Sequence, residues 1–251
     1  MGKYLGAELY KMTHRRSYTF GMLGLVLGGE ALLLFLLKTA RFSNATTYDD
    51  VIGVLPLTLT IGIYLVPAIC DIIFSDQYKL NTLKNEMAYG TPRLRVYFGK
   101  LMASVITAVA FCAIFTVFYM GAAALLFPVR DAAATAAAVE KIGKSLAVAL
   151  PVWLGALSFI HMLLFVMKGS VSAVVLYLFT LSLGDILELM SLFLPKLQNF
   201  CGLVQRCLVG APMDTVMNGS FNIPYAWTVG TVWFVVCAIV GAICFQKREI
   251  S

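Results

Sequence analysis

The chain has 251 residues, 60 % of them hydrophobic and only 13 % charged, and its mean hydropathy is +0.86. That composition excludes a water-soluble enzyme and belongs in a bilayer. At about 20 apolar residues per span, the length holds six spans and no separate soluble domain, so the net charge of +6 reports topology rather than a nucleic-acid partner.

Residues 1–17 read as an amphipathic helix, with Leu5, Leu9 and Met12 on one face and Lys3, Glu8, Lys11 and Arg15 mostly around the other. Such a helix lies on a membrane surface, its cations drawn to anionic lipid; a disordered basic tail that sets orientation is the other reading. The first span, 18–38, is too long for a signal peptide, and Lys38 stands where a cleavage site needs a small residue. Its Gly24 and Gly28 form a pair that lets another helix approach closely. The second span, 52–74, carries Pro56 and Pro67 and should kink.

The stretch from Asp71 to Lys100 is a sizeable island of charge between apolar runs. Within it, Leu80, Leu83, Met87 and Ala88 fall at helical spacing, with Lys79, Lys84, Asn85 and Glu86 turned elsewhere. A short amphipathic helix over 77–92 follows, stopped by Gly90 and the Thr91-Pro92 turn. It suits either docking into a groove on a soluble partner or lying on lipid headgroups.

The remaining spans are expected at 101–127, 146–167, 171–194 and 226–245. An alanine-rich loop, partly helical, precedes the fourth, and a long segment over 195–225 precedes the sixth. Periodic Phe200, Leu203, Val204, Cys207 and Leu208 suggest a short helix at or dipping into the outer interface. With the N-terminus inside, inner segments hold twelve of the 19 Lys and Arg residues, so both termini and the charged hairpin should face the cytoplasm.

Residues 71–100 resemble the loop between the second and third spans of ATP-binding-cassette (ABC) exporter permeases of the second type. Thr82, Leu83, Lys84 and Asn85 match the family's opening, Gly90 and Arg93 its turn, and Tyr97, Gly99 and Lys100 its close, while Asn81 departs from the usual Gly. The resemblance implies that this segment is a coupling helix, with Thr82, Leu83, Lys84, Asn85, Glu86, Met87, Tyr89, Gly90 and Arg93 meeting the ATPase subunit. It implies two cytoplasmic ATPase subunits that bind ATP and Mg, a second permease copy or related permease, and no cofactor in this chain. Permeases of this size resemble those that expel peptide antibiotics, including lantibiotic-immunity and bacitracin-type systems. In the family, short re-entrant helices often link the last two spans.

Catalytic constellations are absent from the pattern. Gly143-Lys144-Ser145 resembles the end of a phosphate-binding loop, but position 138 is Ala where Gly is required. No His-Glu-x-x-His, metal spacing or Gly-x-Ser-Gly occurs. Cys201 and Cys207 could pair if their segment is not helical; on a helix they stand about 9 Å apart in rise, too far for a bridge. The intramembrane acids are the anomaly: Glu30 in the first span, and Asp185 and Glu188 on one face of the fifth. A charge at mid-bilayer costs about 2.5–3.5 kcal/mol on insertion scales. These acids either line a translocation route suited to cationic or amphipathic cargo, or sit protonated or hydrogen-bonded where helices cross. His161 reads as a core histidine, and Tyr48, Trp153, Tyr225 and Trp227 as interfacial aromatics. The pattern leaves two functions: an ATP-driven exporter subunit, or a membrane scaffold or sensor that recruits a cytoplasmic regulator.

Overall fold

In the computed structural model the described residues are 2–14, 16–39, 46–74, 86–88, 90–167 and 170–247, with 16–18 described for their backbone alone. They contain no strand. The helices are α1 (Gly2–His14), α2 (Arg16–Thr39), α3 (Tyr48–Ile52), α4 (Leu55–Gly62), α5 (Val66–Phe74), α6 (Arg93–Leu126) and α7 (Ala132–Val166). They continue with α8 (Ser170–Phe193), α9 (Gln198–Cys207), α10 (Met213–Met217) and α11 (Ile223–Lys247). Among the described residues six segments are long and apolar enough to cross a membrane: α2, the α3–α5 run, α6, α7, α8 and α11. The chain is an all-α integral membrane protein.

Proline explains why the second span comes in pieces. Pro56 stands in the first turn of α4, where its missing N–H is harmless. Pro67 stands at the start of α5, just after a 3-10 turn over Ile63–Leu65. Having no N–H, Pro67 cannot donate to the Ile63 carbonyl four residues before it, which takes the Val66 N–H instead. Tyr177 of α8 reaches across and donates its hydroxyl to that same Ile63 carbonyl at 2.7 Å. Tyr119 of α6 likewise donates to the Val51 carbonyl at 2.9 Å, where α3 gives way to α4. Two fully buried tyrosines thus add a second donor to backbone acceptors at the breaks in this span.

At the centre stands α7, its Ala156, Leu157 and Ile160 buried. Against it lies α11, and the two backbones touch: a Cβ on Gly230 would strike the Pro151 carbonyl, and one on Gly155 would meet Gly230. Ser158 donates to the Phe234 carbonyl at 2.9 Å along the same seam. Trp153, expected at an interface, is instead buried in this core with its ring against Gly62 of α4. His161 is a core histidine: its Nε2 lies 3.2 Å from the Tyr97 carbonyl, within a group of rings that includes Phe74, Tyr97 and Phe165.

Two helices are longer than a bilayer requires. The 34 residues of α6 and the 35 of α7 each extend about 50 Å, against a hydrocarbon core of about 30 Å. The excess of α6 is its basic first two turns, residues 93–100. That of α7 is the alanine-rich segment expected as a loop; good helix formers and an N-cap at Asp131, which accepts from the Ala133 N–H at 3.3 Å, carry the helix back to Ala132. On α2, a Cβ at Gly24 or Gly28 would meet nothing within 4 Å, so among the described residues no helix uses the close approach they permit. Cys201 and Cys207 are both free and both lie on α9, whose rise keeps them apart.

Candidate functional site: an ionic clasp and an acidic cavity

The basic end of the molecule is organised by the residues on either side of the 75–85 segment. Gly90 takes φ +83°, which a residue with a side chain rarely adopts, and its N–H bonds back to the Met87 carbonyl at 2.9 Å. The chain then turns through Thr91-Pro92 into α6. Four residues in the first two turns of α6 each make a specific contact. Arg93 donates to the Gln246 carbonyl at 2.7 Å and to that of Phe245 at 3.4 Å, placing a cation on the C-terminal end of α11. Tyr97 donates to the Cys237 carbonyl at 3.3 Å and lies against Gly241, where a Cβ would collide with it. Gly99 leaves room for the ring of Tyr4 on α1. Lys100 has no exposed surface and meets Glu8 at 3.0 Å and Glu86 at 3.6 Å.

Glu8 and Glu86 are the acidic half of a clasp. Lys11, on the next turn of α1, contacts Glu8 at 2.9 Å and Glu86 at 2.8 Å, and Tyr4 donates its hydroxyl to Glu86 at 2.8 Å. Glu86 follows from this as an anion held below the usual carboxylate range: burial opposes that, but Lys100, Lys11 and Tyr4 together outweigh it. Burial also pulls the Lys11 ammonium down, and its bonds to Glu86 and Glu8 more than reverse the effect. Tyr4 is pushed well above the ordinary phenol by burial and by the charges of Glu8 and Glu86.

Two readings of the sequence change here. Glu8, placed on the polar face of α1, is 2 % exposed and turned inward, because α1 lies against α6 and Lys100 needs a counter-ion there. Glu86, placed on the outward face of the 77–92 helix, is bound by its own chain instead. Met87 packs partly buried on the core. Thr82, Leu83, Lys84, Asn85 and Tyr89 lie outside the described residues. Gly99 and Lys100, which entered only as a motif match, turn out to be the seat of the clasp; the signal was a lysine one turn inside an apolar helix.

At the opposite end, α8, the α9–α10 segment and the α4 break enclose a cavity of about 160 Å³. Asp185 and Glu188 lie in its wall with Asp214 and Gln205, alongside Thr60 and Tyr64. Among the described residues no Lys or Arg lines it. The Asp214 carboxyl is pushed above its ordinary range, by burial first and then by the charges of Asp185 and Glu188. Sequence reasoning missed Asp214, which sits in a segment without periodicity and joins the other two through the packing of α9 on α8. Glu30 is not in the wall; it lies buried on α2. Among the described residues, no group of three or more His, Cys, Asp or Glu is arranged to hold a metal ion.

A six-span bundle of this kind, with α1 bound through Glu8 to Lys100 of α6, is that of an all-α integral membrane protein. The chain belongs to the ABC-2 family transporter proteins, whose family model matches residues 4–184. The match runs from α1 through most of α8 and so includes the clasp, Asp185 and Glu188 standing just beyond it. Comparison with curated proteins finds no match. As an ABC-2 permease, the chain is a membrane subunit of an ABC transporter and works with an ABC ATPase.

Proposed function

We propose that this permease expels peptide antibiotics or other amphipathic compounds from a bacterial cell membrane by ATP-driven alternating access. Two ATPase subunits would bind the ATP and Mg, and each needs its own coupling element. One such element per chain calls for two permeases, identical or related. Both termini and the 75–92 hairpin face the cytoplasm in this reading, in keeping with the distribution of Lys and Arg.

The observation that carries the reading is the clasp. Glu86 stands at the end of the coupling segment, and its carboxylate is bound at once to α1 and α6. A push on the segment that ends at Glu86 would be passed to α6 through these bonds, and α6 is long enough to cross the bilayer. Closure of the ATPases on Leu83 to Tyr89 would therefore tilt the second and third spans and shift the balance between inward- and outward-open states. Thr82, Leu83, Lys84, Asn85, Met87 and Tyr89 would contact the ATPase, with Glu86, Gly90 and Arg93 holding the hairpin to the bundle. The acidic cavity, with Asp185, Glu188 and Asp214, supports a cationic or amphipathic cargo on the outer side.

Replacing Leu83 with Asp in membranes that contain the partner ATPase tests the reading. Cargo-stimulated ATP hydrolysis should fall at least tenfold while the chain remains inserted. Unchanged stimulation, or recovery of the native chain from its membrane with no nucleotide hydrolase attached, would refute it.

A further inference from the structure

Glu30 is used by neither the clasp nor the acidic cavity, and its surroundings define a site of their own. It is 4 % exposed, and among the described residues neither of its carboxylate oxygens has a hydrogen-bond partner. Its helix, α2, lies alongside α6 and points the same way. Near one end Thr19 and Thr107 both bond Met12, at 3.0 Å each. Near the other, Lys38 donates to the Leu126 carbonyl at 2.6 Å. Glu30 lies between these two ties on α2, as Thr116 and Tyr119 do on α6. The Thr116 hydroxyl is also buried without a partner. The Tyr119 hydroxyl, within electrostatic range of Glu30, is committed to the Val51 carbonyl.

The other titratable groups of the elements packed around this seam lie elsewhere. Lys38 is two turns outward on α2 and engaged with Leu126 and the Phe127 ring. Tyr48, Asp49 and Asp50 are on α3, with Asp49 accepting from Thr135 and Asp50 from Thr47. Glu8, Lys11, His14 and Lys100 are at the basic end, near α1. None of these groups bonds the Glu30 carboxyl. Among the described residues an anion at this position would have no cation and no donor on its oxygens, which are turned away from water. The one ligand that removes the charge without needing space is a proton.

We propose that Glu30 is a proton-binding site of the membrane domain, loaded while α2 rests on α6 and discharged when the two helices part during the transport cycle. The inference goes beyond the export reading, because it concerns neither cargo nor ATPase contact. Its geometry also explains why a carboxyl survives on a helix whose outer face is Leu25, Leu32 and Phe35, each more than half exposed for contact with lipid.

Carbodiimide labelling of the chain in its native membrane vesicles, mapped by mass spectrometry, tests the proposal without any cargo. Dicyclohexylcarbodiimide, which partitions into lipid and reacts with protonated carboxyls, should modify Glu30. Labelling should fall about tenfold per pH unit above the site's midpoint, and a water-soluble carbodiimide should leave Glu30 untouched. In parallel, ATP hydrolysis by the complex should show a pH step that Glu30→Gln abolishes and Glu30→Asp keeps at a shifted midpoint. If the Gln variant fails to insert, the Asp variant alone decides by that shift. No adduct at Glu30, an adduct independent of pH, or a pH profile that the variants leave unmoved would each overturn the proposal.

Discussion

Two sets of acids sit at opposite ends of this protein, and their environments differ in one respect. At the basic end, Glu8 and Glu86 are answered by Lys11, Lys100 and the hydroxyl of Tyr4. At the far end, Asp185, Glu188 and Asp214 share a cavity wall that contains no cation among the described residues. The first set is closed, and its charges serve to fasten α1, the hairpin and α6 together. The second set is open, and the negative field that remains belongs to whatever enters. Acids alone therefore say little about function; the neighbouring cations decide whether they hold shape or attract a ligand.

Breaking the closed set should have the largest effect. Lys100→Met removes the buried ammonium between Glu8 and Glu86 and leaves both acids to the half-exposed Lys11; losing one partner of a buried pair costs about 3–5 kcal/mol. Thermal unfolding in detergent should show the loss, and cargo-stimulated ATP hydrolysis should fall more than tenfold. Adding Glu8→Gln should recover much of the stability, because one of the two buried carboxylates that Lys11 would have to serve alone is gone. If the double variant is no better than the single one, the clasp is not the cause.

Gly230→Ala perturbs the bundle but neither acidic set. Its methyl would meet the Pro151 backbone, so α7 and α11 must separate, at about 1–3 kcal/mol for an overpacked core. A lower unfolding temperature with unchanged coupling per folded molecule is expected. Asp185→Asn with Glu188→Asn should do the reverse. Stability should hold, while transport of cationic cargo drops about tenfold relative to neutral cargo. Equal transport of both would remove the cavity from the cargo's path.

The pH dependence separates the two ends again. Glu86 is depressed, so its contribution is present above the ordinary carboxylate range and is lost as pH falls through its lower folded value. Lys11 is raised, so its contribution is present below the ordinary amine range and is lost as pH rises through its higher folded value. Hydrogen exchange of residues 2–14 should stay slow throughout the interval between them. Asp214 is raised, and protons should compete with cations in the cavity at pH values above the usual carboxylate range. The smallest effect is expected from Tyr4→Phe, which removes one of several bonds to Glu86 and should cost about 1 kcal/mol in unfolding measurements.

Much of this was legible from residue order. Six apolar runs need no partner to declare themselves, and Pro56 and Pro67 announce their breaks because proline cannot donate. The Gly90 stop and the Arg93-to-Lys100 motif were also visible. The clasp was only half legible. Helical periodicity places Glu8 and Glu86 on polar faces, and nothing local says that those faces turn toward Lys100. Asp214 was invisible for the same reason, being brought to Asp185 and Glu188 by the packing of α9 against α8.

Hydropathy and proline chemistry by themselves determined that this chain is a six-span helical membrane protein with an interrupted second span, since lipid admits few other solutions for such a composition. Which acids are paired and which are left open was decided only by the tertiary structure. Charges act through distance and dielectric, and both are set by residues as far apart in the chain as Glu8 and Lys100.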